Sequence, residues 1–568
     1  MITHIMEDLL SNPGLQHIVE KSLKVLSHVD IASFRLLNQN CKNIVDYPEF
    51  YLMKLSHQEN ATKDLIQEWK IMIKKLNDED VRDDLMLELF KMNSQRLFKY
   101  PLQLAYDMSD EKRRFELTMF IIENSHNSNY VKAKRGYTGN LSPIHLAAMY
   151  GYVESANRMI SNNSTEPNPS DIHGITPIFL AAEYGHLEIV RLLMTLTSNP
   201  NIAGFLGQTP IHRAAKNGHL EIVRLLMNST TNPNVADNDG WTPIYFAALK
   251  GHLEIVRSLM SSTTNPNVAD NDGYTPIYKA SQKGYLEIVQ LLMTSTTDPN
   301  VANNFGRTPI LRAAESGHLE IIRLLMTSTT NPNVADINGS TPIHAAAYRG
   351  HLEIVRLLMT STTNPNGSDN DGDTPILKAA ESGHLEIIRL LMTLTKNPNV
   401  ANNQGRTPIH AAAFNGHLEI VRLLITSNTN PNGSDNNGDT PILRAAESGH
   451  LEIIRLLMTL TKKPNVANNQ GKTPIHAAAL NGHLEIVELL MISNTNPNVP
   501  DNLGQTPIHN AAHRGHLEIV RLLMKTTDNP NAPDDLGRSP ENLASQSGHH
   551  DIVRLLRNLA IIRSLLEL

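Results

Sequence analysis

Histidine is the residue type that most invites a chemical interpretation of this sequence, because imidazole binds metals and transfers protons near neutral pH. The chain of 568 residues contains 25 histidines. Most of them occupy two positions of a repeated pattern, one after Thr-Pro-Ile (His212, His344, His410, His476, His509) and one in Gly-His-Leu-Glu (His186, His219, His252, His318). A side chain that recurs at the same position in successive repeat units is expected to stabilise the structure of the repeat. We therefore expect structural roles for these histidines.

Other groups that could carry catalysis are either repeated or scarce. The glutamate of His-Leu-Glu recurs, as in Glu221 and Glu254, so it is no isolated general acid. Cys41 is the only cysteine, which excludes a disulfide framework and a cysteine-rich metal site. The sequence contains no glycine-rich phosphate loop, HExxH, CxxC or nucleophile elbow. We expect no enzymatic activity, no cofactor and no metal.

The elements that position these residues follow from an internal repeat. Thr-Pro-Ile recurs at intervals of about 33 residues from Thr176 to Thr506. Ser-Pro variants open and close the series at Ser142 and Ser539, giving 13 units. Each unit predicts two short helices that stack on their neighbours, because neither helix buries its apolar face alone. In one unit Thr242 is placed to cap the first helix and Gly251 to end it.

This pattern resembles the ankyrin repeat, most closely in units such as NNQGRTPIHAAAFNGHLEIVRLLI around Thr407. The resemblance implies an all-α ankyrin-repeat solenoid of about 13 to 14 helix-turn-helix repeats, each of about 33 residues, with a concave surface that holds a protein target. It also implies that the recurrent histidines hydrogen-bond neighbouring turns. One departure is systematic, because T-x-N-P-N, as in Thr330-Asn331-Pro332-Asn333, replaces the usual Gly-Ala-Asp-x-Asn. We expect this loop to be stiffer and the fold to be unchanged.

Composition limits the remaining classes of partner. The net charge of −7 provides no basic footprint for nucleic acid. No apolar run of about 18 residues occurs, so we expect no membrane insertion. The first residues, MITHIMEDLLSNPG, have no basic segment followed by an apolar run, so we expect no secretory signal and a cytoplasmic or nuclear location.

Residues 12–55 form a separate pattern of three short helices before the repeats. Asp30-Ile31, Cys41-Lys42 and Pro48-Glu49-Phe50 are similar to anchor positions of the F-box, whereas Gly14, Ile44 and Tyr51 depart from it. The resemblance implies docking onto the Skp-type adaptor of a cullin ubiquitin ligase. The docking candidates that it implies are Leu15, Ile18, Leu26, Ile31, Leu36, Pro48 and Phe50. The alternative is a helical cap for the solenoid.

Together these patterns predict four segments. Residues 1–57 are the F-box-like helical module, 58–98 a helical linker, 99–135 a degenerate capping repeat, and 136–568 the ankyrin-repeat array with a C-terminal cap. In that cap, DIVRLLRNLAIIRSLLEL is expected to form the last second helix and an additional apolar helix.

Candidate partner-binding residues are those that vary while the repeat frame stays constant. They occupy three places in each repeat: the residue immediately before Thr-Pro, the second residue after the Ile of Thr-Pro-Ile, and the two residues immediately before the glycine that ends the first helix. Arg312, Lys378 and Arg444 alternate along the chain with alanines at the same repeat position. One interpretation is that they form solvated ion pairs with Glu315, Glu381 and Glu447. The other is that they give the concave surface alternating charged and uncharged bands that contact a partner. We expect the energetic centre to lie between Trp241 and Lys279, where Trp241, Tyr245, Phe246 and Tyr274 form an aromatic cluster, because exposed aromatics contribute strongly to binding at many interfaces. The predicted contacts are Trp241, Tyr245, Phe246, Tyr274, Lys279, Arg307, Arg312, Tyr348, Lys378, Phe414 and Arg444.

The sequence thus predicts a non-enzymatic protein-binding scaffold that recruits substrates to an SCF-type ubiquitin ligase. The alternative is an ankyrin scaffold with no link to ubiquitination, in which the N-terminal helices are only a cap. Binding of the adaptor discriminates between the two.

Overall fold

The computed structural model describes residues 142–566, except 162–165, 360–363, 365, 396, 427–429, 462, 493–495 and 528. This part of the chain holds 26 α-helices in 13 pairs and no strand. It divides into two compact units. The first comprises the residues up to Ala247 together with 261–263, and the second comprises 248–260 together with the residues from 264 onward. The seven docking candidates from Leu15 to Phe50 and the segments 1–57, 58–98 and 99–135 lie outside the described residues.

The helices of the first unit are short and alternate between a first and a second helix of each repeat. They are α1 (Pro143–Tyr150), α2 (Val153–Ser161), α3 (Pro177–Tyr184), α4 (Leu187–Met194), α5 (Pro210–Asn217) and α6 (Leu220–Met227). Helix α7 (Pro243–Lys250) contains the division between the units. First helices pack on first helices and second on second, with α1 against α3 and α3 against α5.

The second unit continues the same alternation. Its helices are α8 (Leu253–Met260), α9 (Pro276–Lys283), α10 (Leu286–Met293), α11 (Pro309–Ser316), α12 (Leu319–Leu325), α13 (Pro342–Arg349), α14 (Leu352–Leu358), α15 (Pro375–Ser382), α16 (Leu385–Met392), α17 (Pro408–Asn415), α18 (Leu418–Ile425), α19 (Pro441–Ser448), α20 (Leu451–Met458), α21 (Pro474–Asn481), α22 (Leu484–Ile492), α23 (Pro507–Arg514), α24 (Leu517–Leu523), α25 (Pro540–Gln546) and α26 (His550–Leu566). The predicted additional C-terminal helix is wrong as a separate element, because α26 is one helix of 17 residues. No glycine or proline interrupts that stretch.

Helix α9 begins and ends as the repeat pattern predicts. The Oγ1 of Thr275 accepts the backbone N–H of Tyr278 at 3.1 Å, and Pro276 stands at the first helical position. Gly284 ends the helix at φ 84°, a conformation that disfavours a side chain. The T-x-N-P-N loop leaves the fold unchanged and caps the following helix, since the Oδ1 of Asn267 accepts the N–H of Ile277 at 3.0 Å.

The core lies between the two helix layers. Ala313 and Ala314 of α11 are fully buried, which lets neighbouring first helices approach closely. In the second helix α12, Ile321, Ile322 and Leu325 are buried at helical spacing. This buried face is the one that the spacing of apolar residues predicts.

An asparagine ladder joins the turns that precede consecutive first helices. The Nδ2 of Asn403 donates to the carbonyl oxygen of Asn370 at 2.8 Å, and Asn436 donates to Asn403 at 2.9 Å. Asn469 and Asn502 continue the series at the same spacing of 33 residues. The ladder was not predicted from the sequence, although the recurrence of asparagine at a fixed period indicates it.

Candidate protein-binding surface

The histidine that follows Thr-Pro-Ile links neighbouring repeats. In α17 the Nε2 of His410 lies 3.0 Å from the carbonyl oxygen of Asp439, and its Nδ1 accepts the backbone N–H of Thr407 at 3.2 Å. That N–H requires an unprotonated Nδ1, so the ring is neutral with its proton on Nε2. Burial lowers the pKa of His410, and it lowers the pKa of His212 to about 4. Equivalent bonds to the next repeat are made by His145, His212, His344 and His476.

The histidine of Gly-His-Leu-Glu links each repeat to the one before it. The Nε2 of His384 lies 3.0 Å from the carbonyl oxygen of Tyr348, at the end of the preceding first helix. Its ring covers Gly350, where a Cβ would come within 2.5 Å of the imidazole. These contacts confirm the structural roles predicted for both sets of histidines, except that the buried Nε2 of His509 has no hydrogen-bond partner among the described residues.

The described residues contain no group of three or more His, Cys, Asp or Glu side chains arranged to hold a metal ion. No helix in the same part of the chain is both long enough and apolar enough to span a membrane. The variable side chains lie on the surface formed by the first helices and their preceding turns, here called the first-helix face.

Two of the predicted contacts on this face are corrected by the structure. Tyr245 and Phe246 are each only 2% exposed, so the expectation that they are exposed aromatics is wrong. The ring of Phe246 packs edge-on against Trp241 at 5.4 Å and against His212 at 6.2 Å. A large ring at this position folds onto the neighbouring first helix, whereas a lysine or arginine reaches past it to solvent. Of this aromatic cluster, Trp241 remains half-buried and stacks on Tyr245 at 5.8 Å.

Most other predicted contacts lie at the surface of the first-helix face. Tyr348 and Phe414 are exposed, whereas Tyr274, Lys279, Arg307, Arg312, Lys378 and Arg444 are half-buried. Tyr274 lies 4.9 Å from the ring of Tyr278, and the Nζ of Lys279 lies 3.9 Å from the centre of the Tyr274 ring. This distance is that of a cation–π contact.

The basic residues of alternate repeats form ion pairs that are more buried than expected. Arg444 lies 3.0 Å from Asp435, 2.8 Å from Asp439 and 3.1 Å from Glu447. Burial alone would lower the pKa of Arg444, but the hydrogen bond that its guanidinium donates to Asp435 and the negative charges of Asp439 and Glu447 raise that pKa. These carboxylates hold the guanidinium in one place on the first-helix face.

Lys378 is held in a similar way one pair of repeats earlier. Its Nζ lies 2.5 Å from Asp373 and 3.4 Å from Asp369. The ion pair expected with Glu381 is therefore replaced by pairs with the two aspartates of the preceding turn. Arg312 does pair with Glu315, as expected.

A family model described as ankyrin repeats (3 copies) matches this chain in eight overlapping stretches between residues 111 and 562. The chain belongs to the ankyrin-repeat family. The matched stretches include every helix pair of the structure, apart from the end of α26 after residue 562, and leave residues 1–110 outside. No curated protein matches the sequence. Ankyrin repeats indicate a protein-binding scaffold.

The first-helix face of the ankyrin array also contains a shallow cavity between α19 and α21. Its volume is about 230 Å³, and its lining includes Arg444, Glu447, Lys472, His476 and Leu480. The sequence predicts the position of Arg444 on this face. It does not predict the cavity, because the cavity depends on how closely two successive first helices approach.

Proposed function

We propose that this ankyrin array holds a protein target on its first-helix face. The observation that carries the proposal is the contrast within each first helix. The frame residues, such as Ile343, His344 and Ala346 of α13, are 2% exposed or less and serve the fold. Tyr348 of the same helix is 44% exposed and differs from its counterparts in other repeats. Exposed aromatic rings on a rigid scaffold suit recognition of another protein.

We further propose that the chain couples this target to a ubiquitin ligase as an F-box-type substrate receptor, acting in the cytoplasm or nucleus. Support for this step comes from the sequence of residues 12–55, in which Asp30-Ile31 and Pro48-Glu49-Phe50 are similar to F-box anchors. The N-terminal module would dock onto the Skp-type adaptor, and the array would present the target. Catalysis would belong to the ligase, because the recurrent histidines of this chain bond to backbone carbonyls.

The competing proposal is an ankyrin scaffold with no role in ubiquitination. In that case the N-terminal helices only cap the array. The two proposals differ in one measurable property, which is binding of the adaptor.

Co-expression of the full chain with the adaptor subunit tests the receptor proposal. We expect a complex that survives size-exclusion chromatography and is lost in Ile31→Glu, with Pro48→Ala weaker than the unaltered chain. Ile172→Glu is a matched control, because Ile172 is 73% exposed on the array and the same change there leaves the proposed docking residues intact. Absence of a complex with a folded, monodisperse chain would leave the plain scaffold.

A further inference from the structure

The cavity between α19 and α21 on the first-helix face also reaches Asn510 of α23. Its volume is about 230 Å³. The apolar part of its lining is Leu443, which is buried, with Ala477 and Leu480, which are half-buried. Because a cavity of about 150 Å³ holds a benzene-sized ring, this one has room for a single large side chain of another molecule.

Two side chains that line the cavity are smaller than their counterparts one pair of repeats earlier. Leu480 stands where α17 has Phe414, and Asn510 stands where α19 has Arg444. Tyr348 of α13 is a further ring at the position of Leu480. The chain thus provides a ring at this position in two repeats and leaves it out in the repeat that borders the cavity.

The charged side chains of the lining are balanced. Arg444 lies 2.8 Å from Asp439 and 3.1 Å from Glu447, and its third partner, Asp435, is 1% exposed and does not line the cavity. Lys472 is the second cation of the lining, and it forms no ion pair within the described part of the chain. Two carboxylates and two cations therefore line the cavity, and they favour an occupant without a net charge.

Lys472 also favours a particular kind of uncharged occupant. A cation is attracted to the negative face of an aromatic ring. Elsewhere on the first-helix face the Cζ of Arg213 lies 5.1 Å from the centre of the Phe179 ring, and the Nζ of Lys279 lies 3.9 Å from that of Tyr274. At the cavity Lys472 supplies the cation, but no Phe, Tyr or Trp of the chain is among the lining residues.

We propose that the cavity between α19 and α21 receives one phenylalanine or tyrosine side chain of the protein target. The ring packs on Ala477 and Leu480, and Lys472 lies over its face. This inference rests on the proposed function, because it specifies which groove of the ankyrin array anchors the target and by which kind of side chain.

Random twelve-residue peptides displayed on phage and selected on the full-length chain provide the probes. Enriched peptides are synthesised, and their affinities for the chain and its variants are measured by fluorescence polarisation. We expect the peptides to share one Phe or Tyr. Replacing that residue of the peptide with alanine should weaken binding by about tenfold or more, as loss of a buried aromatic anchor does.

Leu480→Phe adds to the cavity the ring that the chain carries at Phe414, so it should weaken binding of the same peptides by about tenfold or more. The losses from Leu480→Phe and from the alanine peptide should not add, because each change removes the same contact. Leu394→Phe is the matched control. Leu394 is 50% exposed and follows the second helix α16, so a ring added there lies outside the first-helix face and should leave affinity unchanged.

Two further variants keep the test independent of any one substitution. Leu480→Phe should leave the thermal midpoint unchanged, because α17 folds with Phe at the same position. Asn510→Arg, which supplies the counterpart of Arg444, enlarges a different side chain of the lining and should also weaken binding of the peptides. Lys472→Met should weaken it by about two- to fivefold, the usual contribution of an exposed cation–π contact.

Several outcomes would overturn the cavity as the anchor. These are failure to enrich peptides, enrichment of peptides without Phe or Tyr, and equal affinity of the peptides for the unaltered chain, Leu480→Phe and Asn510→Arg. Peptides that require Arg or Lys instead would assign the cavity to a cation and overturn the aromatic occupant. Peptides that lose affinity in Tyr348→Ala or Phe414→Ala, but in neither variant of the cavity, would overturn this inference and leave the proposed function standing.

Discussion

The Nε2 of His410 donates to the carbonyl oxygen of Asp439, 3.0 Å away in the next repeat. The carboxylate of the same aspartate accepts the side-chain amide of Asn468 at 2.7 Å, one repeat further on. Asp439 thus joins three consecutive repeats. His344, Asp373 and Asn402 form the same arrangement two repeats earlier, so the array is built from pairs of repeats rather than from identical single ones.

Acid should weaken the array through its buried histidines. Burial lowers the pKa of His145, His212, His344, His410, His476 and His509. The unfolded chain therefore binds protons more readily than the folded one, and the stabilising contribution is complete above the unfolded pKa of about 6.5 and is lost as the pH falls below it. For His212, with a pKa of about 4, the loss is on the order of 3 kcal/mol once the pH reaches 4.

Thermal unfolding at pH 7.5, 6.0 and 5.0 measures this effect. We expect the midpoint to fall across the series, in a range where unperturbed carboxyl groups are still ionised. In a variant with leucine at positions 344, 410 and 476, the thermal midpoint should depend less on pH. Leucine is the natural residue at the equivalent position of the preceding repeats, in Leu311, Leu377 and Leu443. The same midpoint at pH 7.5 and 5.0 in the unaltered chain would contradict the account.

A glycine of the asparagine ladder should be less replaceable than its counterpart at the end of the array. Gly405 has φ 76°, and a Cβ there would lie 2.5 Å from the Oδ1 of Asn436. Gly537 has φ 74°, and no atom lies within 4 Å of its Cβ position. Both alanine variants carry the left-handed strain of roughly 1–2 kcal/mol. Only Gly405→Ala also disturbs the ladder, so its thermal midpoint should be the lower of the two, and equal midpoints would argue against the ladder as a stabilising feature.

Arg444 should be replaceable by lysine but not by alanine. Its partners Asp435 and Asp439 have side chains only 1% and 9% exposed, so Arg444→Ala leaves two buried carboxylates without their cation. Because Arg444 is itself 20% exposed, we expect a loss of roughly 2–4 kcal/mol, below the full cost of breaking a buried pair. Arg444→Lys reproduces the chemistry of Lys378 and should cost under about 1 kcal/mol. Denaturant unfolding measures both, and equal losses would contradict the ion-pair role.

The repeat frame could be predicted from the sequence because each of its residues meets a local requirement. Thr275 caps a helix, Pro276 needs no amide donor, and Gly284 adopts a positive φ. Such requirements depend only on neighbouring residues in the chain. Because the same residues recur from repeat to repeat, the sequence alone is enough to predict the frame.

The surface was harder to predict because it depends on contacts between repeats. The same position holds Phe246, which is buried, and Lys378, which reaches the surface, so position alone did not decide exposure. The partners of Lys378 were also missed, since Asp369 and Asp373 come from the preceding turn rather than from the same helix. The distance between side chains on adjoining elements is absent from a one-dimensional pattern.

Site-specific photo-crosslinking tests most directly whether the first-helix face holds the target. A benzophenone amino acid placed at Tyr348 or Phe414 would report on that face, and the same probe at Leu394 or Leu460, which follow second helices and are 50% and 44% exposed, is the matched control. In cells that produce the protein, we predict one common crosslinked partner from positions 348 and 414 and none from 394 and 460. A partner captured only from positions 394 and 460 would contradict the account.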